Sequence, residues 1–303
     1  IALDAKLFSE ITRRVSSQNA VVTIESDDKF NTTISCENSV FNIQGRDGDE
    51  FSYIPYIEKN KYISLSQFTL KEVIQQTIFS ISPNDSNKMM AGELFEVNEN
   101  QLKVVSLDGH RISIRNVTLK DHYENTKVIV PGKTLSEISK ILGGDNEKEV
   151  LIYFSANHIL FEFDQTHVVS RLIEGDYFKI SQMLSNDYET KVSINKKEFL
   201  DSIDRANLLI REGDKKPIII NILNGLLQVN VNSAIGALNE DIDIDKEGKD
   251  IMIGFNPKFL MDALRVIDDE NVTMYLVNHK SPCFIRDKEE NYIYLILPVN
   301  FTA

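Results

Sequence analysis

The cluster Asp108-Gly109-His110-Arg111 has the residue types best suited to binding chemistry in this chain. It separates two alternating stretches, 102–106 and 112–114, and Asp-Gly between such stretches is typical of a hairpin turn. Two interpretations follow from the spacing alone. Either the turn is plain, with His110 and Arg111 solvated, or it borders a surface pocket in which imidazole and guanidinium flank an apolar groove and hold a peptide.

Three other motifs lack a part that their chemistry needs. Residues 131–134 read Pro-Gly-Lys-Thr, but 125–130 contain no glycine, so the phosphate cradle of a P-loop cannot form. The alternating aspartates of 241–245 resemble a calcium loop, yet the turn glycine follows too late and the intervening isoleucines favour a strand with one solvated face. The five histidines show no paired spacing of metal ligands. We therefore assign no catalytic residue, no metal ligand and no cofactor.

Length and composition are those of a chain with two or three domains. The chain has 303 residues and no apolar run that could span a bilayer, so we expect no membrane partner. Its two cysteines, Cys36 and Cys283, lie in strand-like stretches of different domains. We interpret them as buried free thiols of a protein in a reducing compartment, which indicates a cytoplasmic location.

One segment occurs three times along the chain. Its copies begin at Lys6, Lys133 and Lys258, about 125 residues apart, and each is a helix-like run followed by a strand-like run. The strand-like runs are 20–24, 150–154 and 272–276. A second unit begins at residues 63 and 192 with a short alternating strand that leads into a helix-like run. This order predicts a tandem α+β protein.

The two units alternate, so a third copy of the second unit would precede residue 1. We therefore predict three similar domains, at 1–60, 61–187 and 188–303, of which the first is partial. About 60 further residues at the amino terminus would complete it. We also expect the chain to be less stable than a form completed in that way, and to self-associate more weakly.

Charge is unevenly distributed between the predicted helices and the rest of the chain. The helices are predicted at 5–16, 67–82, 133–142, 196–211 and 257–267. They hold 12 Lys or Arg and 7 Asp or Glu, a net charge of +5, within a chain of net charge −13. If the helices share one side of the molecule, that side is basic and suits non-specific contact with DNA phosphates. Alternatively, the Lys and Arg side chains only keep helix surfaces solvated.

The chain resembles the bacterial sliding clamps, the beta subunits of DNA polymerase III. The resemblance runs the length of the chain and includes the Asp-Gly-His-Arg turn and the terminal Tyr-Leu-Ile-Leu-Pro-Val of 294–299. Further matching stretches are 92–97, 128–131, 171–178 and 253–256. The resemblance implies a DNA clamp: three similar α+β domains with antiparallel sheets outside and paired helices inside, the first domain incomplete here. It also implies a non-catalytic processivity factor that encircles double-stranded DNA as a head-to-tail homodimer.

In such a ring, basic helices face the DNA and contact phosphates without reading bases. Arg13 and Lys133 fall at basic positions of the family pattern. The other candidates for the DNA-facing surface are chosen because they are cations on predicted helices; they are Lys71, Lys196, Lys197, Arg205 and Arg265.

The resemblance further implies a pocket between domains two and three that binds a short peptide with a Gln and apolar or aromatic anchors. The partners would be the DNA polymerase III alpha subunit, the clamp loader and repair polymerases. The matching positions are Met90, Leu107, Gly109, His110, Arg111, Ile112, Phe178, Gln182, Met183, Asn256, Phe259, Pro282, Leu295, Ile296, Leu297, Pro298, Val299 and Asn300. Replacing Arg111 or Leu297 by Ala is expected to weaken peptides by about 1–3 kcal/mol with little change in fold.

Ring closure is expected to use edge-to-edge sheet pairing between domains one and three. Phe41 and Ile43 on one side, and Leu208 and Leu209 on the other, match apolar interface positions of the family. An alternative interpretation makes Leu208 and Leu209 ordinary core of a helix that ends near Arg211. Two other classes also stay open: a metabolic enzyme with a repeated α+β fold, and a protein-binding repeat scaffold that does not encircle DNA.

Overall fold

The computed structural model describes residues 1–15, 21–51, 53–82, 87–211 and 216–301. The chain divides into two compact units, Ile1–Tyr56 and Ile57–Ala303, each built from α-helices and antiparallel strands. No helix in the described ranges is long and apolar enough to cross a membrane.

All five helices begin within one residue of the predicted positions. Three of them end several residues before their predicted ends. The described ranges contain α1 (Ala5–Val15), α2 (Gln67–Thr77), α3 (Gly132–Ile141), α4 (Lys196–Asn207) and α5 (Pro257–Leu264). After α4, Leu208 still has helical dihedrals, but the N–H groups of Leu209 and Ile210 donate to the carbonyls of Ala206 and Asn207 in tighter turns. The apolar periodicity runs on through such turns, so the predicted ends at 82, 211 and 267 were too late. Ser16, the predicted end of the first helix, lies outside the described residues.

The strand-led units share one local design. β4 (Tyr62–Ser66) runs directly into α2, and β10 (Thr190–Asn195) runs directly into α4. The last residue of each strand caps the next helix: the Ser66 side chain accepts from the Thr69 N–H, and the Asn195 side chain from the Glu198 N–H. The predicted strand-to-helix units are therefore confirmed.

The unit Ile1–Tyr56 contains α1 and a three-stranded antiparallel sheet. Its strands, in spatial order, are β1 (Thr23–Ser26), β2 (Asn31–Cys36) and β3 (Ser39–Gln44). Ile11, Ile34 and Cys36 form its buried apolar centre, and the Cys36 thiol donates to the Val15 carbonyl. Cys36 is a buried free thiol as predicted, and so is Cys283 in the other unit. The predicted strand 20–24 begins later, at Thr23, and its first residue lies outside the described part of the chain.

In its described residues, the unit Ile57–Ala303 contains two antiparallel sheets. Its remaining strands are β5 (Gly92–Leu107), β6 (Arg111–Pro131), β7 (Glu149–Phe154), β8 (His158–Phe163), β9 (Thr166–Arg171), β11 (Ile218–Leu223), β12 (Leu226–Asn232), β13 (Ala237–Gly248), β14 (Ile251–Phe255), β15 (Asn271–Leu276), β16 (Cys283–Arg286) and β17 (Tyr292–Ile296). One sheet has four strands in the order β4-β7-β8-β9. The other has ten strands in the order β14-β11-β12-β13-β10-β15-β16-β17-β6-β5.

The pairing of β17 with β6 has the largest consequence for the site. It places Ile296 opposite Arg111 and Leu295 opposite Ile112, although these residues are far apart in sequence. Since β6 starts at the Asp-Gly turn and β17 is the last strand, the pairing brings the chain's C-terminal residues beside that turn. This is a long-range contact that strand periodicity alone cannot specify.

In the described residues of this unit, two helix pairs, α3-α2 and α5-α4, are joined by a hydrogen bond into a row in the order α3-α2-α5-α4. α2 packs on α3, and α4 packs on α5. The two pairs meet where the Gln76 side-chain amide on α2 donates to the carbonyl of Val266, just past α5, at 3.0 Å. Apolar faces of α2 and α3 cover one buried core, and those of α4 and α5 cover another. Each helix therefore turns its polar face away from the core that it covers.

The aspartates of 241–245 lie on β13 with their side chains exposed, while Ile242 and Ile244 between them are buried. This confirms the predicted strand with one solvated face. Within the described ranges, no group of three or more His, Cys, Asp or Glu side chains is arranged to hold a metal ion.

Candidate functional site

The Asp108–Arg111 turn connects β5 to β6 and is fixed by its own side chains. Asp108 Oδ1 accepts the His110 N–H at 3.0 Å, and the Asp108 N–H donates to the Arg111 carbonyl at 3.3 Å. Gly109 has φ of 88°, a left-handed conformation that L side chains rarely adopt. Open space surrounds the position of a Cβ there, so the conformation, not crowding, requires glycine. The turn projects His110 into solvent and turns Arg111 inward.

Arg111 is 6% exposed and all three of its guanidinium nitrogens have partners. Nε donates to Asp108 Oδ2 at 3.0 Å, Nη1 donates to Asp262 Oδ2 at 2.7 Å, and Nη2 donates to the Phe79 carbonyl. The Phe259 ring lies 4.2 Å from the guanidinium carbon, in cation–π geometry. The interpretation of a plain turn with solvated Arg111 is therefore wrong. We also no longer expect Arg111→Ala to leave the fold unchanged. The substitution would leave two partly buried carboxylates, those of Asp108 and Asp262, without their cation, which destabilises the protein.

Cavity 1, of about 380 Å³, opens beside this turn and is mostly apolar. Its apolar walls come from the 3₁₀ turn before β5, the facing ends of β5 and β6, the segment after β9, the residue before β16, and the last strand with the residue that follows it. The lining residues are Met90, Leu107, Gly109, His110, Arg111, Ile112, Phe178, Met183, Pro282, Leu295 and Leu297. Every one of them belongs to the predicted pocket set, and the β17–β6 pairing is what brings them together.

Cavity 2, of about 830 Å³, adjoins cavity 1 and is more polar. His110 and Leu297 line both cavities, and the Leu297 N–H donates to the His110 carbonyl at 2.8 Å. The His110 ring stacks on Phe259, with ring centres 6.2 Å apart. From the predicted set, Asn256, Phe259, Pro298 and Val299 also line cavity 2.

Three predicted pocket residues line neither cavity. Gln182 is exposed on a short 3₁₀ turn, and Asn300 is exposed beyond Val299. Ile296 is fully buried in the core beneath α4 and α5 because alternate residues of β17 point to opposite faces of the sheet.

Sequence reasoning missed several residues of cavity 2. They are Asn207, Ile210, Arg211, Lys216, Pro257, Lys258 and Met261. Asp262, which holds Arg111, was missed as well. Apart from Lys216, which lies shortly before β11, they lie at the end of α4 or on α5, and only the packing of α4 on α5 brings these positions to one cavity.

The predicted DNA-facing cations fall into two groups. Lys71 Nζ donates to the Leu142 carbonyl after α3, and Lys196 Nζ donates to the Ile267 carbonyl after α5. Cations are stabilised at such positions by the negative end of the helix dipole. Arg205 forms an ion pair with Glu240, and Arg265 lies 3.7 Å from Asp204. Lys133 and Lys197 are exposed and form no ion pair with another described residue. Fewer cations on these helices are therefore free to contact phosphates than the charge count implied.

Arg13 lies on α1 in the unit Ile1–Tyr56. Its side chain is exposed and forms no ion pair with another residue in the described part of that unit.

The predicted dimer residues lie at an edge strand and a helix end. Phe41 and Ile43 lie on β3, an edge of the three-stranded sheet, and Phe41 is 36% exposed. Leu208 follows α4 and is 76% exposed, whereas Leu209 is half-buried against the core. The alternative interpretation as helix core holds for Leu209 but is wrong for Leu208.

The titratable groups with strongly perturbed pKa values line neither cavity. Burial raises the pKa of Glu93 to about 8, and the Thr77 hydroxyl donates to Glu93 Oε2 at 2.8 Å. Burial likewise raises the pKa of Tyr177, Tyr292 and the Cys283 thiol. None of these groups lines cavity 1 or cavity 2.

Comparison with known proteins agrees with the fold and covers nearly the whole chain. Residues 64–179 match the family model of the DNA polymerase III beta subunit, central domain, and residues 181–300 match its C-terminal domain. The beta sliding clamp of Staphylococcus aureus (strain Mu50 / ATCC 700699) is 34% identical over 302 residues, which are 99% of this chain and 79% of that protein.

Solved structures give the same result. A crystal structure from Eubacterium rectale ATCC 33656, described as a DNA polymerase III beta subunit, superimposes with a TM-score of 0.94 at 66% identity, covering 99% of this chain and 81% of that one. The DNA polymerase sliding clamp of Bacillus subtilis superimposes with a TM-score of 0.93 at 32% identity, covering 99% and 80%. The chain has the clamp fold and belongs to the bacterial sliding clamps, the beta subunits of DNA polymerase III.

Proposed function

We propose that two copies of this protein close head to tail around duplex DNA and hold partner proteins through short peptides bound in cavities 1 and 2. The observation that carries the proposal is the position of His110 and Leu297, which line both cavities. A peptide in extended conformation can therefore pass from one cavity to the other without leaving the surface.

The chemistry of cavity 1 suits an apolar anchor. Its one charged lining residue, Arg111, is already satisfied by Asp108, Asp262 and the Phe79 carbonyl. Met90 and Met183 add polarisable, adaptable surface, which suits several partner sequences. We infer that the DNA polymerase III alpha subunit, the clamp loader and repair polymerases place Leu or aromatic side chains there.

The row α3-α2-α5-α4 is the proposed DNA-facing surface of this unit. Few cations on it are unpaired, so affinity for DNA would be low and retention would come from enclosure. Lys133 and Lys197 would contact phosphates without reading bases, which permits sliding. Arg13 would add a phosphate contact from α1.

Ring closure would use the exposed edge of β3, with Phe41, and the exposed Leu208 of a second copy. Edge strands offer unpaired N–H and carbonyl groups, and an apolar side chain beside them adds burial.

We propose no catalytic role and a cytoplasmic site of action in DNA replication. An enzyme's pocket is expected to hold titratable groups with perturbed pKa values. Among the described residues, the strongly raised pKa values belong to buried groups that line neither cavity.

Retention on DNA tests the encirclement. Labelled protein is loaded onto nicked circular plasmid by a clamp loader with ATP, and the DNA is then linearised. Encirclement predicts that the protein stays on circles and is lost from linear DNA. Equal retention on both forms, or none on either, would favour the protein-binding scaffold without encirclement.

A further inference from the structure

We propose that cavity 2 binds acidic side chains that flank the apolar anchor of the same partner peptide, and so selects partners by charge. The proposal rests on the peptide-binding function proposed above and adds a specificity element to it. The residues proposed to bind the acidic side chains are Arg211, Lys216 and Lys258.

The charge of the cavity 2 lining is the first observation. Arg211, Lys216 and Lys258 are exposed cations, and no Asp or Glu lines the cavity among the described residues. This contrasts with a chain whose net charge is −13. A concave surface lined by one sign of charge concentrates ligands of the opposite sign. Acidic peptide segments would be repelled from most of this protein and attracted here.

The lack of internal partners is the second observation. The Lys258 ammonium group makes no hydrogen bond or ion pair with another described residue, and the same holds for the Arg211 guanidinium. Lys216 Nζ has only a long contact of 3.5 Å with the Asn232 carbonyl. Arg205 and Arg265, in contrast, pair with carboxylates of this chain. The cations of cavity 2 are thus available to an external carboxylate.

The position next to cavity 1 is the third observation. His110 and Leu297 form the shared wall, so a peptide anchored in cavity 1 needs to extend by only a few residues to reach cavity 2. Electrostatic complementarity of this kind raises specificity and association rate more than it raises affinity. We therefore expect moderate, salt-sensitive discrimination.

A pair of synthetic peptides tests the proposal. Both carry one Gln followed by Leu and Phe anchors. One has Asp and Glu flanking the anchors and the other has Asn and Gln at the same positions. Fluorescence anisotropy at about 0.05 M NaCl is expected to give a Kd about three- to tenfold lower for the acidic peptide, from several exposed charge contacts. At about 0.5 M NaCl the difference should shrink to less than about twofold.

Variants locate the effect. In the Lys216→Gln/Lys258→Gln double variant the acidic peptide should lose its advantage over the amide peptide, so that the two Kd values become equal within about twofold. Lys249→Gln is the matched control, because Lys249 is an exposed cation of the same unit that lines neither cavity. Equal Kd values for both peptides, or an acidic preference that survives in the double variant, would overturn the proposal.

Two further outcomes separate this proposal from the peptide-binding function. If the amide peptide binds and Leu297→Asp abolishes its binding while acidity has no effect, cavity 2 selectivity fails and the peptide-binding function stands. If neither peptide binds at all, both proposals fail. Displacement of the acidic peptide by a single-stranded oligonucleotide, with the amide peptide unaffected, would assign cavity 2 to DNA phosphates instead.

Discussion

Arg111 and Asp262 form an ion pair of 2.7 Å that links the turn before β6 to helix α5. Their side chains are 7% and 18% exposed, and Asp108 holds the same guanidinium from the other side at 3.0 Å. The pair joins residues from the two matched family domains, and Arg111 lines cavity 1. The geometry of cavity 1 therefore depends on the ion pair between Arg111 and Asp262, although Asp262 does not line the cavity.

Asp262→Ala should destabilise the protein by about 3 kcal/mol, because the buried guanidinium loses one of its two carboxylates. We also expect weaker peptide binding, since Arg111 would no longer be held in place. Urea unfolding and peptide anisotropy measure the two effects. Asp243→Ala, an exposed carboxylate on β13, is the control and should change stability by less than about 0.5 kcal/mol. Equal stability of the two variants would mean that the pair contributes nothing to the fold.

Leu297→Ala should weaken peptide binding by about 1–3 kcal/mol with little loss of stability, because Leu297 is 38% exposed and lines both cavities. Met252→Ala removes a similarly exposed apolar side chain, 44% exposed on β14, that lines neither cavity. Calorimetric titration with one partner peptide compares the two. The assignment of the site is contradicted if both variants bind the peptide as the unchanged protein does.

Glu93 should make the protein less stable as pH rises from about 5 to 8. Burial raises its folded-state pKa from 4.5 to about 8. Between these values the folded protein keeps the proton and the unfolded chain releases it, so the stabilisation is complete below pH 4.5 and is lost as pH approaches 8. The glutamine of the Glu93→Gln variant cannot ionise. From pH 5 to 8, the free energy of unfolding of this variant should therefore fall by a few kcal/mol less than that of the unchanged protein.

Urea unfolding at pH 5, 6, 7 and 8 measures the difference between the two proteins. Glu137→Gln, on the exposed face of α3, is the control and should follow the unchanged protein. Parallel curves for Glu93→Gln and the unchanged protein would show that Glu93 is ionised in the folded state at neutral pH.

Lys133→Gln/Lys197→Gln should shorten retention on circular DNA and reduce its salt dependence, because these exposed cations are free to neutralise phosphates. Each lost phosphate contact lowers the slope of log K against log salt by about 0.9. Lys120→Gln, which removes an exposed cation paired with Glu149 on the sheets, should leave retention unchanged. Retention half-lives measured across a series of salt concentrations compare the double variant with Lys120→Gln. An effect of Lys120→Gln as large as that of the double variant would remove the helix row as the DNA-facing surface.

The sequence determined the tandem α+β organisation and the starts of the helices through local patterns, and the residues around cavity 1 through its resemblance to a family. Helix starts follow from local chemistry: Ser66 and Asn195 end a strand and cap a helix, and both signals lie within a few residues. The residues of cavity 1 came from a family resemblance, because nothing in the local pattern relates Leu297 to His110.

The tertiary structure decided which charges are free and which residues share a cavity. Arg111 is buried rather than solvated, and Lys71 and Lys196 are bound to carbonyls at helix ends rather than free. Arg211 and Lys258 line one cavity because α4 packs on α5. The physical reason is that periodicity and capping are properties of neighbouring residues, whereas the partner of a charge depends on which distant segments the sheet and helix packing bring within a few ångströms.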